Sequence, residues 1–419
     1  MQLGYEVNRL TPPAIKAGLG KRRPMIELFV DGDTPDEVWD AALECVLSGN
    51  GQPAFYNKAA YKALFPKRFP EIREEDLRQF CGGGCTEMML AGLSCVGSLD
   101  AGINLMVIFE RTLHASLEKA ADFEDFYRAF IEDIHEDTVR VMHAIALSQK
   151  ERARWNPVPM RTLLIDDCIE KEKDYNAGGA RYMWSIINFA GMINVIDSLL
   201  AVRDLVFREK AYQPAEFLKL LDENDEALLK KCRRNENAFG RDLDEVNAFA
   251  KEFSHTVYDF LKEEKPFFGF GFLPASIQFE SYARAGKDIG ATPDGRRRGE
   301  ALCDSLAAIF HKDTAGPTAL LKSVTSLDLA SAIGTPVVNL TVQPDFSPVI
   351  LRQLIESYMA LGGLQLQITC TSRETLEDAY LHPEEYPDLI VRVGGYSEYF
   401  VRLPSELQRV IIDRTIYEN

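Results

Sequence analysis

Between residues 103 and 153 apolar positions recur three and four apart with charges between them, and this spacing predicts mostly helix. Residues 181–210 and 215–264 are read as further helical regions, the last rich in Glu and Lys. Thr34-Pro35-Asp36-Glu37 has the form of a helix start. Thr34 would cap, Pro35 take the first position and Glu37 close a capping box, in a helix running to Gly49. From Phe267 the texture changes: FFGFGFLPAS, GATPDGRRRGE and GTPVVNLTVQP alternate Gly/Pro turns with short β-like runs. Thr371–Glu374 opens another capping-box helix, expected to stop near His382-Pro383. The run LIVRV, a Gly-Gly pair and a final helix at Ser405–Tyr417 follow. Strands mixed with helices indicate an α/β protein.

The chain has 419 residues, enough for two or three domains or one large α/β barrel. Its formal net charge of −17 disfavours nucleic acid and anionic membranes, so neither is expected as a partner. Eight dispersed cysteines, with no apolar signal segment in MQLGYEVNRLTPP, point to a reduced, cytoplasmic compartment. The most apolar segment, Met183–Phe207, contains Asp197, Arg203 and Asp204 and reads as a buried helix rather than a membrane span.

Two short stretches could carry chemistry. In LIVRVGGYSEYF, Gly394-Gly395 joins two β-like runs, which a plain hairpin explains because glycine reaches positive φ freely. In CGGGCTEMML, the glycines could form a tight loop and the cysteines could be inert core. A metal site is disfavoured: Met88 stands where a third cysteine would be needed, and no histidine is near. A phosphate loop lacks its lysine. The remaining feature is the pair Cys85-x-Glu87, which an extended backbone would place on one face. Glu87 could then act as general acid or base beside a thiol. His114, His135, His143 and His255 lie in charged helical segments and are read as surface residues.

Taken together, these stretches resemble the glycyl radical enzymes, the family of pyruvate formate-lyase and the glycerol and choline lyases. Arg392, Val393, Gly395, Tyr396 and Ser397 match the family's radical-bearing loop R-V-x-G-Y-S, with Gly394 at its variable position. Gly84-Cys85-Thr86-Glu87 is similar to the G-C-V-E motif of the dehydratase, amine-lyase and decarboxylase branches, with Thr86 departing from it. Gly290–Arg297, Gly178–Tyr182, Asp197-Ser198-Leu199, Gly316–Ala319 and Arg373–Ala379 also fit, so the resemblance runs from about residue 25 to the end.

The resemblance implies an α/β barrel of two opposed parallel half-barrels with outer helices. Residues 1–380 would be the C-terminal part of the barrel with the cysteine loop, and 381–419 the glycine radical domain. Gly395 would store the radical, because a planar Cα radical conjugated with both flanking amides excludes a Cβ. Cys85 would pass its hydrogen atom to Gly395 and, as thiyl radical, take one from substrate carbon. Glu87 would be the general acid or base, Arg392, Tyr396 and Ser397 would support the radical loop, and Asp100 is a further candidate, with a helix cap as its other reading. No metal or bound cofactor is implied. The radical would be installed by a separate iron–sulfur, S-adenosylmethionine-dependent activase. A homodimer is implied, and a longer segment ahead of the cysteine loop, present in the family, suggests a second chain or a truncation. The reaction would be dehydration, lysis of C–N, C–S or C–C bonds, or decarboxylation. Formate acetyltransferase activity is the alternative, although Gly84 stands where that branch has a second cysteine. An inactive remnant or assembly subunit is the other.

Overall fold

The computed structural model describes residues 6–83, 86–98, 100–277, 281–310, 312 and 314–418. Its strands are β1 (Glu27–Val30), β2 (Ala54–Asn57), β3 (Phe80–Gly82), β4 (Met88–Leu90), β5 (Ala101–Asn104), β6 (Ser185–Ala190), β7 (Phe272–Ser276), β8 (Thr335–Pro336), β9 (Asn339–Val342), β10 (Gln365–Cys370), β11 (Ile390–Arg392), β12 (Ser397–Tyr399) and β13 (Ile416–Tyr417), beside a separate short parallel pair of Ser94–Cys95 with Tyr182–Met183.

β5, β6, β7 and β8 pair in parallel in that order. Val337 and Val338 then carry the chain from one neighbour to the next. Val337 N–H donates to the Ser276 carbonyl (3.2 Å), and the Val338 carbonyl accepts from Gln367 N–H (2.8 Å). β9 continues in parallel with β10 and, at its far end, with β13. β10 meets β2 antiparallel, with Gln365 opposite Tyr56, and β2 pairs in parallel with β1. The parallel strands β5 to β10, with β13 at their side, therefore meet β1 and β2, which form an opposed parallel pair. This is the α/β architecture of opposed halves; no pairing closes β1 onto β5 among the described residues.

Side-chain alternation sorts the faces. Phe55 stacks on Trp39 of the helix Asp36–Cys45 (centroids 5.8 Å apart), which marks the outer face. Glu27, Phe29, Tyr56, Gln365, Gln367 and Thr369 alternate onto the inner one, where Phe29 stacks on Tyr56 at 5.0 Å. β10 thus turns Leu366 and Ile368 outward and a polar row inward, with every position buried.

Several local expectations change. Thr34 does not cap; it bonds Asp31, and Pro35 precedes a helix that ends at Cys45 before a wider turn containing Gly49. The helix expected over 181–210 is strand β6, a left-handed Gly191 and the helix Met192–Val202. β6 was misread because a strand buried on both faces shows a continuous apolar run, which periodicity cannot separate from a buried helix. The 103–153 region opens with β5, then forms helices Leu105–Ser116 and Phe123–Trp155 capped by Asn104 and Asp122. The 215–264 region splits into helices Pro214–Asp222, Glu226–Arg233 and Asp244–Asp259. Ser372, not Thr371, caps the helix Arg373–Leu381, and the last helix stops at Asp413.

Candidate active site

The cysteine stretch is a β-hairpin, with Cys81 of β3 opposite Met89 of β4. Gly83 N–H donates to the Glu87 carbonyl (2.6 Å) and Thr86 N–H to the Gly83 carbonyl (2.7 Å). Gly84 and Cys85 lie outside the described residues. Thr86 is buried at φ 96°, a strained conformation for a β-branched residue. The extended backbone assumed for Cys85-x-Glu87 is therefore not what the chain adopts at Thr86. Glu87 is buried and accepts a hydrogen bond from Ser98 Oγ. Gly83 and Ser98 also line a cavity of about 570 Å³ with Asp100, Gln149, Arg152 and Tyr175.

The glycine stretch is the expected hairpin of β11 and β12, closed by Val393 N–H donating to the Tyr396 carbonyl (2.9 Å). The left-handed conformation falls on Gly395 (φ 87°) and not on Gly394, so turn geometry by itself requires glycine at 395. Gly395 is buried, and its N–H donates to Gln367 Oε1 at 3.0 Å. Arg392 Nε donates to the same oxygen, and Arg392 Nη1 donates to Ser397 Oγ (3.3 Å). Ser397 also reaches the Gly51 carbonyl (3.4 Å), while Tyr396 is half-buried. Behind the loop, Arg414 donates to the carbonyls of Arg392 and Val393, each at 2.6 Å, and pairs with buried Asp304 at 2.6 Å. Asp304 in turn accepts from Asn339 of β9 (2.9 Å).

Glu27 of β1 touches the cysteine hairpin and feels the charge of Arg392 in the glycine hairpin. Glu27 Oε2 accepts from Gly82 N–H at 2.9 Å. A Cβ on Gly82 would lie 2.4 Å from the same carboxylate, so this approach needs glycine. Burial pushes the Glu27 carboxyl up to about 7, opposed by the Gly82 amide and the charge of Arg392 and assisted by Glu87. Tyr56, subject to the same charges, is fully buried, and its hydroxyl has no hydrogen-bond partner among the described residues. Sequence reading missed Glu27, Gln367 and Arg414. Only the inward Gln-x-Gln-x-Thr alternation of β10 hinted at a polar interior.

Asp100 does not cap a helix. It accepts from Ser185 Oγ (2.5 Å), Gln149 Nε2 (3.4 Å) and Arg152 Nη2 (2.7 Å), and so is committed to a network on the cavity wall. The Gly290–Arg297 turn is built around Arg296, whose guanidinium donates to the carbonyls of Gly286, Gly290, Arg297 and Glu300. His114, His143 and His255 are exposed and His135 half-exposed, each beside a carboxylate. Among the described residues no cluster of His, Cys, Asp or Glu could hold a metal ion, and no helix is long and apolar enough to cross a membrane.

A cysteine hairpin and a glycine hairpin gathered on one inner face define a recognisable class. The chain belongs to the pyruvate formate lyase-like family, matched over residues 19–284, and carries a glycine radical region matched over residues 305–401. It is 28% identical to the trans-4-hydroxy-L-proline dehydratase of Clostridioides difficile, over 94% of this chain and 52% of that protein. It is 27% identical to the (2S)-3-sulfopropanediol dehydratase of Klebsiella oxytoca, over 94% and 51%. The glycerol-bound B12-independent glycerol dehydratase from Clostridium butyricum superposes with a TM-score of 0.93 at 29% identity, covering 98% of this chain and 55% of that one. The chain thus spans about half the length of the curated relatives it matches.

Proposed function

We propose that this chain is the radical-bearing part of a glycyl radical enzyme that abstracts hydrogen from a small organic substrate, as dehydratase, lyase or decarboxylase. The observation that carries the reading is the buried Gly395 hairpin, held by Gln367 and Arg414, with the charge of its Arg392 acting on Glu27, the residue that holds the cysteine hairpin through Gly82. A buried Cα radical needs exclusion from water and oxygen, and a loop fixed through its own amide and carbonyls supplies it. Cys85 would exchange a hydrogen atom with Gly395 and then with substrate, and Glu87, oriented by Ser98, would handle the substrate's proton. A separate radical S-adenosylmethionine activase would install the radical.

The test is anaerobic activation followed by electron paramagnetic resonance. The expected spectrum is a doublet split by one glycine α-hydrogen and lost in Gly395→Ala. No doublet with a competent activase would overturn the reading. Formate acetyltransferase chemistry needs a second relay cysteine, and Cys81 is buried in β3 opposite Met89. Cys81→Ala is therefore expected to keep activity that Cys85→Ala abolishes.

A second reading concerns assembly. Among the described residues β1 and β5 each pair on one side only. Further strands, from a longer chain or a separate one, would complete the interior, and two copies would form a homodimer in the cytoplasm. Mass measurement of the complex isolated under anaerobic conditions tests this. A stable, active monomer of this chain alone would contradict it.

A further inference from the structure

Dehydration, C–N or C–S lysis and decarboxylation all begin with hydrogen abstraction, but they differ in what leaves. A departing hydroxyl needs a proton on its oxygen; sulfite, a tertiary amine or carbon dioxide leaves without one. The interior of this chain holds a second carboxyl that the reading above does not use. Glu27 lies on the inner face, in register with Ala54 of β2. Continuing the β2–β10 register sets Gln367 opposite the same small residue, so Glu27 and the side chain that holds Gly395 flank one alanine. Glu27 also touches the cysteine hairpin through Gly82. Beside it, the buried Tyr56 hydroxyl, Gln367 Nε2 and both polar atoms of Gln365 have no hydrogen-bond partner among the described residues. Buried polar atoms of this kind call for a polar ligand.

We propose that Glu27 is a second acid–base residue of this site, donating a proton to a hydroxyl leaving group while Glu87 accepts one from the neighbouring substrate hydroxyl. The inference rests on the radical-enzyme reading and narrows it to dehydration of a vicinal diol. The steps balance. The Cys85 thiyl radical takes a carbon-bound hydrogen, and Glu87 takes the proton of the hydroxyl on that carbon. The adjacent C–O bond then breaks with its electron pair on oxygen, which leaves as water with the Glu27 proton. The resulting carbonyl-substituted carbon radical recovers hydrogen from the Cys85 thiol. One proton then moves from Glu87 to Glu27, restoring both. The charged and titratable groups whose charge acts on Glu27 among the described residues are Arg392 from β11, Glu87 from the turn of the cysteine hairpin and Tyr56 from β2. Its raised proton affinity suits a donor near neutral pH.

The test uses the activated protein, with whatever chain completes it, and compares wild type with Glu27→Gln on propane-1,2-diol and on isethionate, whose sulfite leaves unprotonated. Radical yield is read by paramagnetic resonance. The expected result is an unchanged radical, diol kcat down about 100-fold with KM within about threefold, and any isethionate turnover unaltered. Infrared difference spectra should also lose a protonated-carboxyl band that titrates near neutrality in wild type. An equal loss on both substrates, or a fall in radical yield, would make Glu27 structural and overturn the proposal. Radical-bearing wild type with no diol turnover would overturn it too, leaving the radical reading intact. Wild type without a radical would fail that reading itself.

Discussion

Two buried arginines stand beside glycine turns and are used in opposite ways. Arg296 is satisfied by its own neighbourhood: its guanidinium collects carbonyls from residues 286, 290, 297 and 300, all within ten positions. Its turn is a self-contained staple, and neighbouring Asp294 ties it to Asn194 at 2.6 Å. The Gly395 turn is held from outside. Its carbonyls are taken by Arg414, and its amide and Arg392 by Gln367. A local staple fixes a fold. A loop suspended between remote elements depends on each of them for its position.

The largest expected effect tests that suspension. Arg414→Ala strips the donors from two buried carbonyls and leaves Asp304 charged and unpaired, which should cost about 3–5 kcal/mol in denaturant unfolding. Arg414→Lys should recover only part, because an ammonium cannot fork across two carbonyls. Next comes a pH effect confined to the suspended side. Glu27 binds its proton up to about 7 in the folded chain, against 4.5 when free. Its contribution is therefore fully present below pH 4.5 and lost as pH rises through 7, by roughly 3 kcal/mol. Melting curves of Glu27→Gln should lack that component; a matching slope in the variant would contradict it. On the stapled side, Arg296→Ala should cost about 2 kcal/mol by uncapping buried carbonyls, yet leave the radical yield per folded molecule unchanged. Gln367→Met should cost only about 1–2 kcal/mol. It frees the Gly395 amide, however, and radical lifetime in the activated protein should shorten, which separates its effect from that of Arg296→Ala.

The same contrast explains what could be read in advance. The Gly290–Arg297 and Arg392–Ser397 stretches were legible because each turn is contiguous and its glycines, proline and arginines are dictated locally. The β11–β12 hairpin and the stop at His382-Pro383 were legible for the same reason. The partners that suspend the radical loop were not. Glu27, Gln367 and Arg414 lie up to 387 positions apart and meet only through the β1–β2–β10 register and the return of the chain near its end. β6 escaped because burial on both faces erases alternation, and the Thr34 cap because Asp31 competes for its hydroxyl. The placement of the left-handed residue on Gly395 rather than Gly394 was a backbone fact that no side-chain pattern encodes.

Gly395, and not its neighbour, is the residue proposed to store the radical. Oxygen cleaves a backbone at the carbon bearing such a radical, so the activated protein exposed to air can be mapped by mass spectrometry. One cut is expected at Gly395, releasing a C-terminal fragment whose first intact residue is Tyr396, in proportion to the radical measured beforehand. An intact chain after a proven radical signal, or a cut at Gly394, would contradict it.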